Sequence, residues 1–167
     1  MTNPLVTPIA LLADTHMPKG ARRLPQRCAE LIAGAEALVH AGDFTAATVL
    51  KELEALCPVV HAVHGNVDEA GLRRSLPAVR EVALGGGVLA VLHDAGPAPG
   101  RLQRLRERFP SADAVLFGHS HMPLHEVDGD FQIFNPGSPT ERRRAPCRSM
   151  GMLHVEQAGL RFEHVWL

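Results

Sequence analysis

The chain has no surplus of charge of either sign: its 167 residues carry a formal net charge of -1 with histidine neutral. That excludes a general electrostatic pull on nucleic acid or an anionic membrane, so strong nucleic-acid binding is not expected. Cysteine is scarce and odd in number, with Cys28, Cys57 and Cys147 far apart and no Cys-x-x-Cys. Neither a zinc ribbon nor a disulfide scaffold is therefore indicated, and three thiols suit a reducing cytosol and a cytoplasmic protein. No apolar run approaches membrane-spanning length. No basic region precedes an apolar core at the N-terminus, so no signal peptide is expected. Low-complexity tracts and internal repeats are also missing, and no nucleophile elbow or motif-borne cysteine offers covalent catalysis.

What is present is a core and a surplus of histidine. The chain is 46% hydrophobic, which excludes global disorder, and its length suits one domain over residues 1–167. Ten histidines are the compositional anomaly. Four of them fall in a repeated pattern, in which an apolar strand-like run ends in Asp, Asn or His. Ile9-Ala10-Leu11-Leu12-Ala13 is followed by Asp14-Thr15-His16, and Ala37-Leu38-Val39-His40 by Gly42-Asp43. Val59 to Val63 leads to Gly65-Asn66, Val88 to Leu92 leads to His93, and Ala114 to Phe117 leads to Gly118-His119-Ser120-His121. Strand ends are where an α/β sheet places its ligands. A single pair of nearby histidines would carry little weight. The same feature at the end of every run points to one metal site.

Read in order, residues 1–7 are a short lead-in and Ile9 to Ala13 reads as a strand. A helix is predicted from Pro25 to about Ala33, stopped by Gly34. Leu38 to His40 reads as a second strand. Thr45 can cap a helix to about Leu56 that buries Val49, Leu50, Leu53 and Leu56, and Val59 to Val63 reads as a third strand. This β-α-β-α-β alternation implies parallel strands whose following loops share one edge. After a short helical piece near Glu69 to Ser75, Ala78 to Leu84 and Val88 to His93 read as strands joined by Gly85-Gly86-Gly87. Arg101 to Phe109 reads as a basic amphipathic helix with its arginines on a solvated face. The tail reads as four strands, Leu124 to Val127, Phe131 to Asn135, Met150 to Glu156 and Leu160 to Val165, with turns at Asp128-Gly129 and Ala158-Gly159. Late strands of this kind suggest a second sheet packed on the first. An exposed apolar face on them is where a homo-oligomer would form.

The ordered set Asp14-x-His16, Gly42-Asp43, Gly65-Asn66, His93 and Gly118-His119-x-His121 resembles the motif set of the calcineurin-like metallophosphoesterase superfamily. The compact length and Asn135-Pro136-Gly137-Ser138 are similar to its small single-domain phosphodiesterases of the YfcE type. The resemblance spans roughly residues 9–138 and implies an α/β fold, a four-layer α-β-β-α sandwich of two mixed β-sheets flanked by helices. It also implies a dinuclear site, with one metal held by Asp14, His16, Asp43 and His121 and the second by Asp43, Asn66, His93 and His119. Asp43 would bridge them. Imidazole and carboxylate donors suit manganese first, with nickel, iron or zinc as alternatives.

The expected reaction is hydrolysis of a small phosphate ester, a phosphodiester first and a phosphomonoester as the alternative, by a hydroxide bridging the two metals. Three positions depart from the family pattern: Val67 stands where many members have His or Cys, His64 where small members often have Arg, and Asp94 where Gly is common. Valine cannot donate a proton, so the candidates for a general acid are His64, Asp68 and Asp94. Asp68 can instead be a turn residue or the partner that holds a ligating histidine by its other nitrogen. His40 and His61 lie in apolar runs and read as core or supporting residues; His125, His154 and His164 read as structural or exposed. Glu141-Arg142-Arg143-Arg144 reads as a solvated loop, or else as a guanidinium contact to a phosphate. Asn135 and Ser138 read as shaping the site from behind. One relative with this fold, a retromer subunit, works as a protein-interaction scaffold, which is the competing class of function.

Overall fold

The computed structural model describes residues 8–167. The lead-in at residues 1–7 lies outside the described residues. The elements run β1 (Ile9–Leu12), α1 (Gln26–Ala33), β2 (Ala37–His40), α2 (Ala47–Leu56), β3 (Val60–Ala62), α3 (Ala70–Ser75), β4 (Val79–Leu84), β5 (Gly87–Leu92), α4 (Arg101–Arg108), β6 (Ala114–Leu116), β7 (Leu124–Asp128), β8 (Phe131–Asn135), β9 (Ser149–Glu156) and β10 (Gly159–Trp166).

Every residue of β1 is buried, and successive side chains enter different cores. Ile9 and Leu11 pack with Val39, Leu89, Leu116 and Phe134, which come from both sheets, so this cluster fills the space between them. Ala10 and Leu12 pack with Cys28, Ile32, Leu38, Val49 and Leu53, which places α1 and α2 on the outer face of the first sheet. A third cluster joins Ala90, Leu92, Val115 and Ile133 to Leu105 and Phe109, so α4 covers the outer face of the second sheet. Strands apolar on both faces are what a sheet needs when it is covered on both sides. Each fully buried Leu or Phe contributes roughly 1.5–3 kcal/mol.

The first sheet has the order β10-β9-β1-β2-β3 and the second β4-β5-β6-β8-β7. Both are mixed: β1, β2 and β3 run parallel while β9 and β10 are antiparallel additions. In the second sheet β5, β6 and β8 run parallel between antiparallel β4 and β7. The result is the expected four-layer sandwich. Because β1, β2 and β3 are parallel, the loops after them share one edge, and the same holds for the loops after β5 and β6.

Three local expectations are corrected. Thr45 does not cap α2: its hydroxyl is buried without a partner, and its backbone is left-handed at φ 90°. The helix starts instead at Ala47, whose N–H donates to the Glu69 carboxylate at 2.9 Å, a cap supplied from another loop. Gly87 belongs to β5, paired with Leu84, so only Gly85 and Gly86 make the turn. The arginines of α4 are not simply solvated. Arg104 donates to the carbonyls of Ala95, Pro97 and Pro99, Arg101 to that of Gly96, and Arg106 pairs with Asp128 and Asp130. The loop before α4 leaves carbonyls that no strand satisfies, and long guanidinium chains reach them. No helix among the described residues is long and apolar enough to cross a membrane.

Candidate metal centre

The seven residues that the sequence picked out all sit in loops following strands. Five of them, Asp14, His16, Asp43, His119 and His121, adopt left-handed backbone with φ between 43° and 71°. Each such residue costs on the order of 1 kcal/mol or more and persists only where its surroundings hold it. Here backbone hydrogen bonds do so: the Asp14 N–H donates to Gly42 O at 3.0 Å and the His16 N–H to Asp43 O at 3.1 Å. The β1 and β2 loops are thereby zipped together. Close approach also requires glycine. A Cβ on Gly118 would meet Asp14 Oδ2 at 2.8 Å, and one on Gly65 would overlap the Asp43 carboxylate.

Four imidazoles gather in two pairs around the two carboxylates. The His16 and His121 rings lie 4.9 Å apart, centroid to centroid, and those of His93 and His119 lie 5.3 Å apart. Asp14 Oδ1 is 3.4 Å from His121 Nε2, 3.6 Å from His16 Nε2 and 4.0 Å from His93 Nε2. Asp43 Oδ2 is 3.4 Å from His16 Nε2 and 3.1 Å from His93 Nε2, so one oxygen faces a member of each pair. Its other oxygen accepts the Val67 N–H at 3.0 Å. Asn66 Oδ1 lies 3.0 Å from His93 Nε2 and 3.1 Å from His119 Nδ1. The Asp14, His16, His93 and His121 side chains are buried, whereas Asn66 and His119 are exposed and mark the open side.

These donors suit cations. Both Asp14 oxygens, His16 Nε2 and His121 Nδ1 are buried without a hydrogen-bond partner, and an unpaired buried charge is costly. His93 Nδ1 donates to Ala41 O at 2.8 Å, which fixes the ring with Nε2 facing the cluster. Asp14, His16 and His121, and likewise Asp14, Asp43 and His93, can each bring three donor atoms to one point. Burial opposes a charge on His16, but the Asp14 and Asp43 carboxylates 3.6 and 3.4 Å from its Nε2 outweigh it and raise its pKa to about 9. Burial likewise opposes a charge on Asp43, and the bonds from His16 and His93 hold it well below the usual carboxylate range.

The candidate acids are placed elsewhere. Asp68 is buried, and its carboxylate accepts three backbone N–H groups: Asp43 at 3.0 Å and Gly65 at 2.7 Å on Oδ2, and Thr45 at 2.8 Å on Oδ1. It clasps the β2 and β3 loops and holds no histidine; the support expected of it for a ligating ring comes, for His93, from Ala41 O. His64 Nδ1 lies 3.4 Å from Gly65 O, and no contact from its side chain to the seven clustered residues is found among the described residues. Asp94 accepts the Gly96 N–H and lies 3.9 Å from His119 Nε2.

Supporting residues surround the cluster. His40 is fully buried, stacks on Phe44 at 3.6 Å and accepts the Gly42 N–H on Nδ1, so its proton is on Nε2, 3.2 Å from the Thr15 hydroxyl. Burial pushes its pKa down to about 3, with repulsion from His93 adding to the effect. Asn135 donates to Gly118 O and lies 3.1 Å from the Ser120 hydroxyl, while Ser138 donates to Asp14 O at 2.8 Å. Glu141 was read as part of a solvated loop; it instead turns inward, with Oε2 3.5 Å from His121 Nδ1. Only its position shortly after Asn135–Ser138 hinted at this.

A family model described as the calcineurin-like phosphoesterase superfamily domain matches residues 8–158. A probable metallophosphoesterase of Methanothermobacter thermautotrophicus is 33% identical over 138 residues, covering 81% of this chain and 78% of that one. Among solved structures, wild-type Vps29 of Entamoeba histolytica complexed with zinc superposes with TM-score 0.78 at 19% identity, covering 95% of this chain and 98% of that one. A novel archaeal phosphodiesterase gives TM-score 0.72 at 20% identity, covering 95% and 99%. At such identities these structures establish the fold, while the matched family model and the sequence relative go further: the chain belongs to the calcineurin-like phosphoesterase superfamily.

Proposed function

We propose that the protein is a dinuclear metal-dependent phosphodiesterase acting on a small phosphate ester. The observation that carries this reading is the single Asp43 oxygen facing His16 on one side and His93 on the other, in a pocket of buried, unpartnered donors. Asp14, His16, Asp43 and His121 would hold one cation, and Asp43, Asn66, His93 and His119 the other. Manganese is our first choice, with nickel, iron or zinc compatible with the same donors. Such cations supply Lewis acidity, activating water for in-line attack on phosphorus and neutralising charge on the phosphoryl oxygens.

The chain's own residues then divide the work. Asp43 shares one oxygen between the two halves while Val67 N–H holds the other. Asn66 contributes a neutral oxygen on the open side, so the site does not become too anionic to accept a phosphate. Beside that opening Val67 is 44% exposed and cannot give a proton to a leaving group, while the exposed Asp94 carboxylate lies 3.9 Å from His119 Nε2 and accepts the Gly96 N–H. With Asp68 occupied, His64 turned to Gly65 O and Asp94 accepting the Gly96 N–H, the substrate class favoured is a diester with a leaving group stable as an anion, such as an aryl oxide. The archaeal phosphodiesterase among the structural neighbours supports the choice of diester over monoester. The intact donor set speaks against a pure interaction scaffold. Three free thiols support a reducing, cytoplasmic setting, and we treat the chain as one domain.

The test is hydrolysis by metal-stripped protein of bis-p-nitrophenyl phosphate and p-nitrophenyl phosphate, with Mn²⁺, Ni²⁺, Zn²⁺ or Mg²⁺ restored singly. The expected result is metal-dependent cleavage with the diester preferred. Preference for the monoester would make the protein a phosphatase, and inactivity despite two bound ions would return the scaffold.

A further inference from the structure

The His121 ring is 1% exposed and is held from both ends. Nε2 faces Asp14 Oδ1 at 3.4 Å, and Nδ1 faces Glu141 Oε2 at 3.5 Å. Nδ1 is buried without a hydrogen-bond partner, which is costly, and the Glu141 carboxylate is the acceptor that stands beside it. Glu141 is itself fixed in place. Its second oxygen pairs with Arg22 at 3.1 Å, and its N–H donates to the Ser138 hydroxyl at 3.0 Å. The same hydroxyl donates to Asp14 O, and the Thr140 hydroxyl donates to Thr15 O at 2.7 Å. The segment that carries Glu141 is thus bolted to the loop that carries Asp14 and His16.

We propose that Glu141 is the positioning residue for His121. Its carboxylate faces Nδ1 as the acceptor for an N–H there, so that the proton stays on Nδ1 and Nε2 keeps its lone pair for a metal, and Arg22 orients the carboxylate. This rests on the dinuclear reading above. A ligating histidine that donates its other N–H to a carboxylate gains basicity and a fixed ring plane, and losing such a partner typically weakens metal affinity about 10- to 100-fold. A second histidine of the cluster, His93, has Ala41 O 2.8 Å from its Nδ1 for the same purpose. Glu141 adds a negative charge to that arrangement, and Arg22 spans the gap to the α1 side of the molecule.

The experiment is titration of metal-stripped full-length protein with Mn²⁺ and Zn²⁺ by calorimetry, for wild type, Glu141→Ala, Glu141→Gln, Arg22→Ala and a remote control, Glu126→Ala. The expected result is two sites in wild type and the control, with one of them weakened at least 10-fold in Glu141→Ala and less in Glu141→Gln and Arg22→Ala. Imidazole ¹H–¹⁵N spectra of the zinc-loaded protein supply a readout that needs no turnover. Wild-type His121 shows a protonated Nδ1 with a strongly deshielded proton, which moves upfield in Glu141→Gln. Should Glu141→Ala be misfolded by circular dichroism, Glu141→Gln carries the test by its spectrum. Two full-affinity sites and an unchanged His121 signal in the variants would overturn this inference and leave the dinuclear reading standing. Failure of wild type to bind any metal would overturn both.

Discussion

Asp68 holds Asp43 from behind: its Oδ2 accepts the Asp43 backbone N–H at 3.0 Å, deep in the fold, while the Asp43 carboxylate faces the cluster of histidines. The same oxygen accepts the Gly65 N–H, so one side chain sets the distance between the β2 and β3 loops. A carboxylate that already accepts three backbone N–H groups has its oxygens committed to the fold rather than to a substrate. Asp68→Asn puts an NH₂ group against at least one of those donors. The expected cost is about 1–3 kcal/mol of stability, with weaker metal binding and lower kcat but an unshifted alkaline limb of the pH–rate profile. Thermal melts and a pH profile check it. Disappearance of that limb would reinstate Asp68 as the acid.

Asp43→Asn removes the charge that lies between the two histidine pairs. Turnover should fall at least 10³-fold, a scale typical of losing a principal electrostatic group in a catalytic site. The fold should survive, because Asn can keep an oxygen toward the Val67 N–H. Circular dichroism together with bis-p-nitrophenyl phosphate hydrolysis decides it; retained turnover would sink the two-metal reading.

His40 should make the protein acid-sensitive. Its pKa is about 3 in the folded protein, against 6.5 when free of the fold. Between those values the unfolded chain binds a proton that the native state refuses. Stability therefore falls as pH drops from 6.5 toward 3, by a few kcal/mol in total at ~1.4 kcal/mol per pH unit. His40→Asn places an oxygen where Nδ1 accepts the Gly42 N–H and removes the titration. The metal-free variant should start less stable at pH 7 and show a shallower decline in Tm between pH 6.5 and 4.5. Equal slopes in the two proteins would contradict the assignment.

Val67 follows Asn66 at the open side and is 44% exposed. Val67→His should leave stability within about 0.5 kcal/mol, as at most surface sites. It should raise kcat on a diester with an alkoxide leaving group by 10-fold or more, general acid catalysis contributing about 10²–10⁴-fold when well placed. Aryl diesters should change little. A gain of equal size on both substrates would point to binding rather than proton transfer.

The clustered donors were readable because apolar runs ending in Asp, Asn or His stand out in line, and their division between two metals followed from the resemblance to the superfamily. Parallel strands deliver their carboxyl ends to one edge, so Asp14, Asp43, Asn66, His93, His119 and His121 could be collected from runs of apolar residues without knowing a single distance. The helices α1, α2 and α4 were readable for the same reason, since their apolar stripes repeat at the helical period. Thr45 shows where local reading stops: its residue type promises a cap, but a left-handed backbone turns the hydroxyl away and Glu69 arrives from another loop to take the N–H.

The sequence by itself therefore determined the strands, the helices and the shared edge of the first three strands, because periodicity and alternation are carried by the residues in line, while the two-sheet sandwich followed from the resemblance of its motifs to the superfamily. Tertiary structure alone decided how the clustered side chains are held. The clasp of Asp68, the inward turn of Glu141 toward His121 and the left-handed backbone of five clustered residues depend on hydrogen bonds between loops 23 to 125 residues apart. Such bonds leave no period in the sequence, since any carboxylate or carbonyl at the right place in space can make them.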